Sequence, residues 1–222
     1  MVIIVVGIVM LNYAISLVLF NIDTRKNGEE QKVQSNRWCL SKSAWIYAGI
    51  MSLLTVGMAI WMQMIYIDNS FLFSLKRLLL LGILWPVAYI DFKTYRIPNL
   101  FIIYGLVTRI ILLVFELLFE RENLLSTVIA EGVAALALVV AALLCTLIIK
   151  NSVGFGDIKL FAIMGLYLGL AGIWSAVFVS MVISFLLSVM LLLTKKKKRK
   201  DMIPFGPSIV IGTYLSVFLT GM

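Results

Sequence analysis

The sequence predicts an all-α integral membrane protein of about eight transmembrane helices. Three observations predict it. The 222 residues are 62% hydrophobic, well above the roughly 45–50% apolar share of a soluble domain. Charged residues make up only 14% and cluster, which leaves long apolar runs between them. The basic residues gather on alternate loops, as the positive-inside rule requires. That rule explains the net charge of +8, so no nucleic-acid partner is expected.

Apolar stretches of about 17–25 residues read as spanning helices. They fall at 1–20, 44–67, 71–91, 98–119, 126–149, 157–170, 172–194 and 204–221. The first lacks a basic start and a small-x-small cleavage site, so it reads as a span and not as a cleavable signal. A polar, basic loop, 21–43, follows it and is too short for an enzyme domain. The sixth stretch is short and carries Gly165 and Gly169, with Gly172 just beyond it. Residues 1–70 thus form two N-terminal helices with a basic loop, and 71–222 form a six-helix core.

One set of loops holds 15 of the 19 basic residues: Arg25, Lys26, Lys32, Arg37, Lys42, Lys93, Arg96, Lys150, Lys159 and the run Lys195, Lys196, Lys197, Lys198, Arg199, Lys200. The opposite loops hold Lys76, Arg77 and Arg121, while Arg109 lies mid-span. The richer side is expected to be cytoplasmic in the cell membrane, with both termini outside. The run from Lys195 reads as a topology signal that rests on anionic lipid.

The chain has no histidine, which removes Ser-His-Asp catalysis and HExxH zinc sites. Cys39 lies in the polar loop and Cys145 in an apolar run, so neither a disulfide nor a cysteine-rich zinc site is expected. Carboxylate, lysine and tyrosine remain for acid–base work.

Two carboxylates stand at the mouths of spans. Asp91 opens Asp91-Phe92-Lys93-Thr94-Tyr95-Arg96-Ile97-Pro98-Asn99, closing the third helix ahead of a basic turn. Alone it reads as an interfacial anchor, yet the helix dipole disfavours an anion at a C-terminus. Asp157 ends Gly154-Phe155-Gly156-Asp157 and is followed by Ile158-Lys159. The ordinary reading is a glycine loop with Asp157 capping the next helix; the glycines also let another backbone come close. Lys159 is either an interface anchor or a charge that tunes Asp157. The expected topology puts both aspartates on one membrane face. A third feature, Pro204-Phe205-Gly206-Pro207, precedes the last helix and alone reads as a helix-start breaker.

Together the three features resemble the type IV prepilin peptidase family, within the GxGD membrane aspartyl proteases. The family pattern is an Asp with a basic turn and Ile-Pro-Asn, then GxGD-x-Lys-Leu, then a late Pro-Phe-Gly-Pro, and all occur here in order over roughly residues 71–222. The resemblance implies that Asp91 and Asp157 are the catalytic pair. It implies an active-site loop set of Pro98, Asn99, Gly154, Gly156, Lys159, Pro204, Phe205, Gly206 and Pro207. It also implies substrates with a short basic leader, a glycine and a long hydrophobic helix, cut after the glycine at the cytoplasmic boundary. Larger members carry paired CxxC motifs that bind zinc after the first helix, and also N-methylate the new terminus. Here that position holds Cys39 alone, so the chain resembles a short, peptidase-only form, as in tight-adherence pilus, competence and archaeal flagellar systems.

Two close carboxylates cannot both ionise cheaply, so they are expected to share a proton and to activate one water between them. No metal and no other cofactor is required. Within the spans, Arg109 and Glu116 share a helix face, and Glu131 on the next helix is placed to pair with Arg109. A small transporter or channel would need such polar residues deep in several helices, whereas Asp91 and Asp157 sit at one rim. A presenilin-like intramembrane protease matches on GxGD alone, because no Pro-Ala-Leu occurs. The substrate's identity and the oligomeric state, a homo-oligomer included, are left open by the sequence.

Overall fold

The computed structural model describes residues 2–30, 42–67, 69–148, 154–194 and 203–221. Residues 31–41 of the basic loop, with Lys32, Arg37 and Cys39, lie outside the described residues, as do Lys150 and the run from Lys195 to Lys200.

The described residues are almost wholly helical. In chain order the helices are α1 (Val2–Glu30), α2 (Lys42–Ile65), α3 (Phe71–Thr94), α4 (Asn99–Phe119), a 3-10 turn (Arg121–Asn123), α5 (Leu124–Ile148), α6 (Phe155–Leu193) and α7 (Gly206–Thr220). Six of them are long and apolar enough to cross a membrane, and α7 is apolar but shorter. The chain is a multi-pass membrane protein.

One boundary changes: the first helix does not stop at residue 20 but runs to Glu30. Element α6 is two helices joined at Gly169, where φ is 64° and ψ −175°, so the expected sixth and seventh helices are its two halves.

Side-chain pairings give each helix its direction. Tyr13 stacks on Trp85 and Phe20 packs on Tyr89, so α1 runs parallel to α3. Ser43 meets Tyr89 and Tyr47 packs near Trp85, so α2 runs against α3. Lys159 reaches Asn99 and Tyr167 reaches Gly105, which makes the first half of α6 parallel to α4. Glu131 lies at Gly169 and Ala135 at Gly165, so α5 opposes that half. Ser175 meets Ser216 while Ser180 meets Ile209, so the second half of α6 opposes α7. Since α7 begins beside Asp91, α6 must double back at Gly169. A straight 39-residue helix would be about 58 Å long, nearly twice the roughly 30 Å hydrocarbon core; the reversal removes that mismatch.

Helix α3 is the buried axis of the bundle: α1, α2, α4, α6 and α7 all pack on it. Its leucines are covered by neighbouring helices, whereas the exposed leucines and isoleucines of α4 and α5 face outward as a lipid-facing surface. Ser70 caps its start by accepting the Phe73 N–H at 3.1 Å. At its end Tyr95 adopts left-handed backbone angles, and its N–H returns to the Asp91 carbonyl.

Candidate active site

Asp91 lies in the last turn of α3 and is buried. The α3 dipole disfavours an anion there. The compensation comes from another helix: the Gly206 N–H, at the start of α7, donates to Asp91 Oδ2 at 2.7 Å. The positive end of α7 thus faces the carboxylate. The fit is close, since a Cβ on Gly206 would lie 2.8 Å from Asp91 Oδ2 and 2.9 Å from Asp91 Cβ.

Asp157 lies in the first turn of α6 and is half-buried. Gly154, not Asp157, occupies the N-cap position. Asp157 instead sits three residues in, and its carboxyl turns back to hydrogen-bond the Gly154 backbone, as the acid of a capping box does. Gly206 contacts Asp91, its neighbour Phe205 packs on Phe161 of α6, and Gly156 of α6 faces Ile97 just beyond α3. The turns carrying two aspartates 66 positions apart in the chain thus lie at one end of the bundle.

The other expected site residues surround that end. Gly156 packs on the turn between α3 and α4: a Cβ there would be 3.0 Å from Ile97 Cβ. Its missing side chain therefore makes room for Ile97. Lys159 donates to Asn99 Oδ1 at 2.9 Å, tying the first turns of α6 and α4 together on an exposed face. Pro98 holds the N-cap position of α4 with extended backbone angles. Phe205 meets Phe161 edge-on, with ring centroids 5.9 Å apart. Pro204 is half-buried just before α7, and Pro207 lies in its first turn.

The deep charges form a separate group. Lys76 donates to Glu116 at 3.1 Å and to Glu131. Arg109 donates to Glu116 at 2.9 Å and to Glu131. Two cations and two anions alternate in a closed, buried ring. The expected pairing of Arg109 with Glu131 is present. Lys76, placed in an outer loop by the charge count, is instead a ring member inside α3. Arg77 is also inside α3, folded over the Phe73 ring. An apolar helix carrying two adjacent cations was the available signal, because intramembrane charges need partners. Lys76 and Glu116 also line a cavity of about 660 Å³ at the opposite end of the bundle from the aspartates.

The model of the type IV leader peptidase family matches residues 78–193, more than half of the chain and inclusive of both aspartates. The prepilin leader peptidase/N-methyltransferase of Bacillus subtilis (strain 168) is 36% identical over 87 residues, covering 39% of this chain and 33% of that protein. The prepilin leader peptidase/N-methyltransferase of Xanthomonas campestris pv. campestris is 35% identical over 69 residues, covering 31% of this chain and 24% of that protein. The chain thus matches a third or less of the length of these relatives. No solved structure matches it.

Proposed function

From the premise that the chain belongs to the type IV leader peptidase family, we propose that it is a membrane-embedded aspartic endopeptidase that removes the basic leader of prepilin-like proteins. The observation that carries this reading is the placement of the Asp91 and Asp157 turns at the same end of the bundle, around Gly206, Phe205 and Ile97.

One carboxyl of the pair is ionised and the other protonated, because two adjacent carboxylates repel. The ionised group takes a proton from a water held between them, and the water oxygen attacks the scissile carbonyl carbon. The protonated partner gives its proton to the carbonyl oxygen, so no oxyanion is left in the apolar surroundings. The tetrahedral diol then collapses: one diol hydroxyl gives its proton to the ionised carboxylate as the C–N bond breaks, the leaving amine takes the proton of the other carboxyl, and one shared proton remains on the pair. Gly206 holds one oxygen of Asp91, which leaves the other oxygen for water. No covalent intermediate forms on the protein.

The substrate lies beside the bundle with its hydrophobic helix in the bilayer, and its scissile bond at the depth of the two aspartates. A glycine at the cut lowers the cost of extending the backbone there. The aspartate end faces the cytoplasm, in keeping with the basic residues of the loops at that end. The reading does not extend to N-methyl transfer, since Cys39 stands alone where larger members carry paired CxxC motifs.

The test is co-expression with candidate prepilins and a mass readout of the new N-terminus. Wild type yields the leaderless, unmethylated product, whereas Asp91→Asn and Asp157→Asn leave the leader in place. Near wild-type cleavage by either variant would refute the two-aspartate mechanism.

A further inference from the structure

The first half of α6 (155–168) carries Asp157 and spans about 14 residues, or ~21 Å. That is shorter than the roughly 30 Å hydrocarbon core. A span that reaches both interfaces has its depth set by them; one that ends inside the bilayer has not. Its last carbonyls also lose their intrahelical donors at the Gly169 break, and lipid offers none.

The buried charge ring answers both needs. Arg109 Nε donates to the Leu166 carbonyl at 2.9 Å. The same side chain donates to Glu116 and Glu131. A guanidinium at a helix C-terminus is also favoured by the helix dipole. One turn along α4, Gly105 accepts the Tyr167 hydroxyl at 2.8 Å. The ring's other cation, Lys76, belongs to α3, the helix that carries Asp91. The ring, together with the Arg109–Leu166 hydrogen bond, thus links the helix of one aspartate to the helix of the other.

We infer that Arg109 is a positioning residue: through Leu166 and the ring with Lys76, Glu116 and Glu131, it sets the depth of the first half of α6 and so brings Asp157 into register with Asp91. Leu166 is nine residues beyond Asp157, a lever of about 13–14 Å along one helix. The kinetic consequence rests on the peptidase reading; the geometric one does not.

The experiment therefore has two arms, both on the full chain reconstituted in vesicles. The charge-balanced variant Arg109→Gln/Glu116→Gln keeps the Lys76–Glu131 pair and removes the reach to Leu166. In the first arm Asp91→Cys and Asp157→Cys are introduced with Cys39→Ser and Cys145→Ser, and the rate of cross-linking by a short bis-maleimide is followed. The rate is expected to fall several-fold in the charge-balanced variant. In the second arm, with both aspartates intact, kcat for a prepilin falls roughly 10- to 100-fold, as misplacement of order 1 Å produces, while KM stays within about twofold. Arg109→Lys, which keeps the charge but has no planar fork, lies between in both arms. If the double variant fails to accumulate as a monodisperse helical protein, Arg109→Lys alone is compared with wild type on the same readouts. An unchanged cross-linking rate in the folded variant overturns the inference, whatever happens to kcat. If wild type cleaves no prepilin, the peptidase reading fails while the cross-linking arm still decides this one.

Discussion

The amide of Gly206 donates a 2.7 Å hydrogen bond to Asp91 Oδ2. The two residues lie on different helices, 115 positions apart. A carboxylate in the last turn of one helix is stabilised by the first turn of another, where free N–H groups point outward.

Gly206→Ala is expected to lower cleavage about 10- to 100-fold, the equivalent of losing a hydrogen bond to a charged group, worth about 1.5–3 kcal/mol. The new methyl group would overlap Asp91 Oδ2 and Cβ, and both belong to a buried residue with little room to move. Steady-state kinetics with helicity by circular dichroism check it. Wild-type kcat in Gly206→Ala would show that the contact is dispensable.

Gly156→Leu is expected to impair cleavage more than membrane insertion, because its side chain would collide with Ile97 in the turn that follows Asp91. Ile97→Ala in the same background should recover part of the activity by opening that space. A double-mutant cycle on kcat measures the coupling; strictly additive effects would mean that the two positions do not meet.

Gly169→Ala is expected to destabilise the protein by about 1–3 kcal/mol, the cost of backbone angles open essentially to glycine alone. Space does not limit this site, since the nearest atom to an added Cβ, Glu131 Cγ, is 3.7 Å away. The penalty arises from φ of 64° with ψ of −175°. Thermal unfolding in detergent should show a lower midpoint; an unchanged midpoint would mean that the chain turns here by other angles.

Glu131→Leu is expected to destabilise strongly, by about 3–5 kcal/mol, because it leaves two buried cations sharing the single carboxylate of Glu116, with one positive charge uncompensated. Lys76→Met/Glu131→Leu removes one charge of each sign and should cost less than Glu131→Leu alone. Comparing unfolding midpoints of the two variants decides it. If the double variant is the less stable, charge balance is not what holds the ring.

Much of this was legible in the chain because lipid is a demanding solvent. Helix α4 was expected at 98–119 and is found at Asn99–Phe119, since an apolar stretch of that length has one solution in a bilayer. Asp91 and Asp157 were legible as candidates because each interrupts apolar sequence at a span boundary. The basic loops placed them on one face, and the helix pairings bring them to one end. Lys76 was misplaced because a count of charges per loop cannot tell a cation at a helix start from one a turn and a half inside it. Seen alone, Gly156 offers room for another backbone to come close; that its neighbour is Ile97, 3.0 Å from where a Cβ would stand, is visible only in the fold.

By itself the amino-acid order determined the solvent, the helices and the two acidic positions, because hydropathy and span length are local properties of the chain. Only the tertiary structure decided which partner each buried polar group takes. Gly206 for Asp91, Leu166 for Arg109 and two glutamates for Lys76 are matches between distant segments. Those matches depend on how helices with similarly apolar surfaces rotate and slide against one another, and in lipid it is small-residue packing and polar contacts that discriminate among such arrangements.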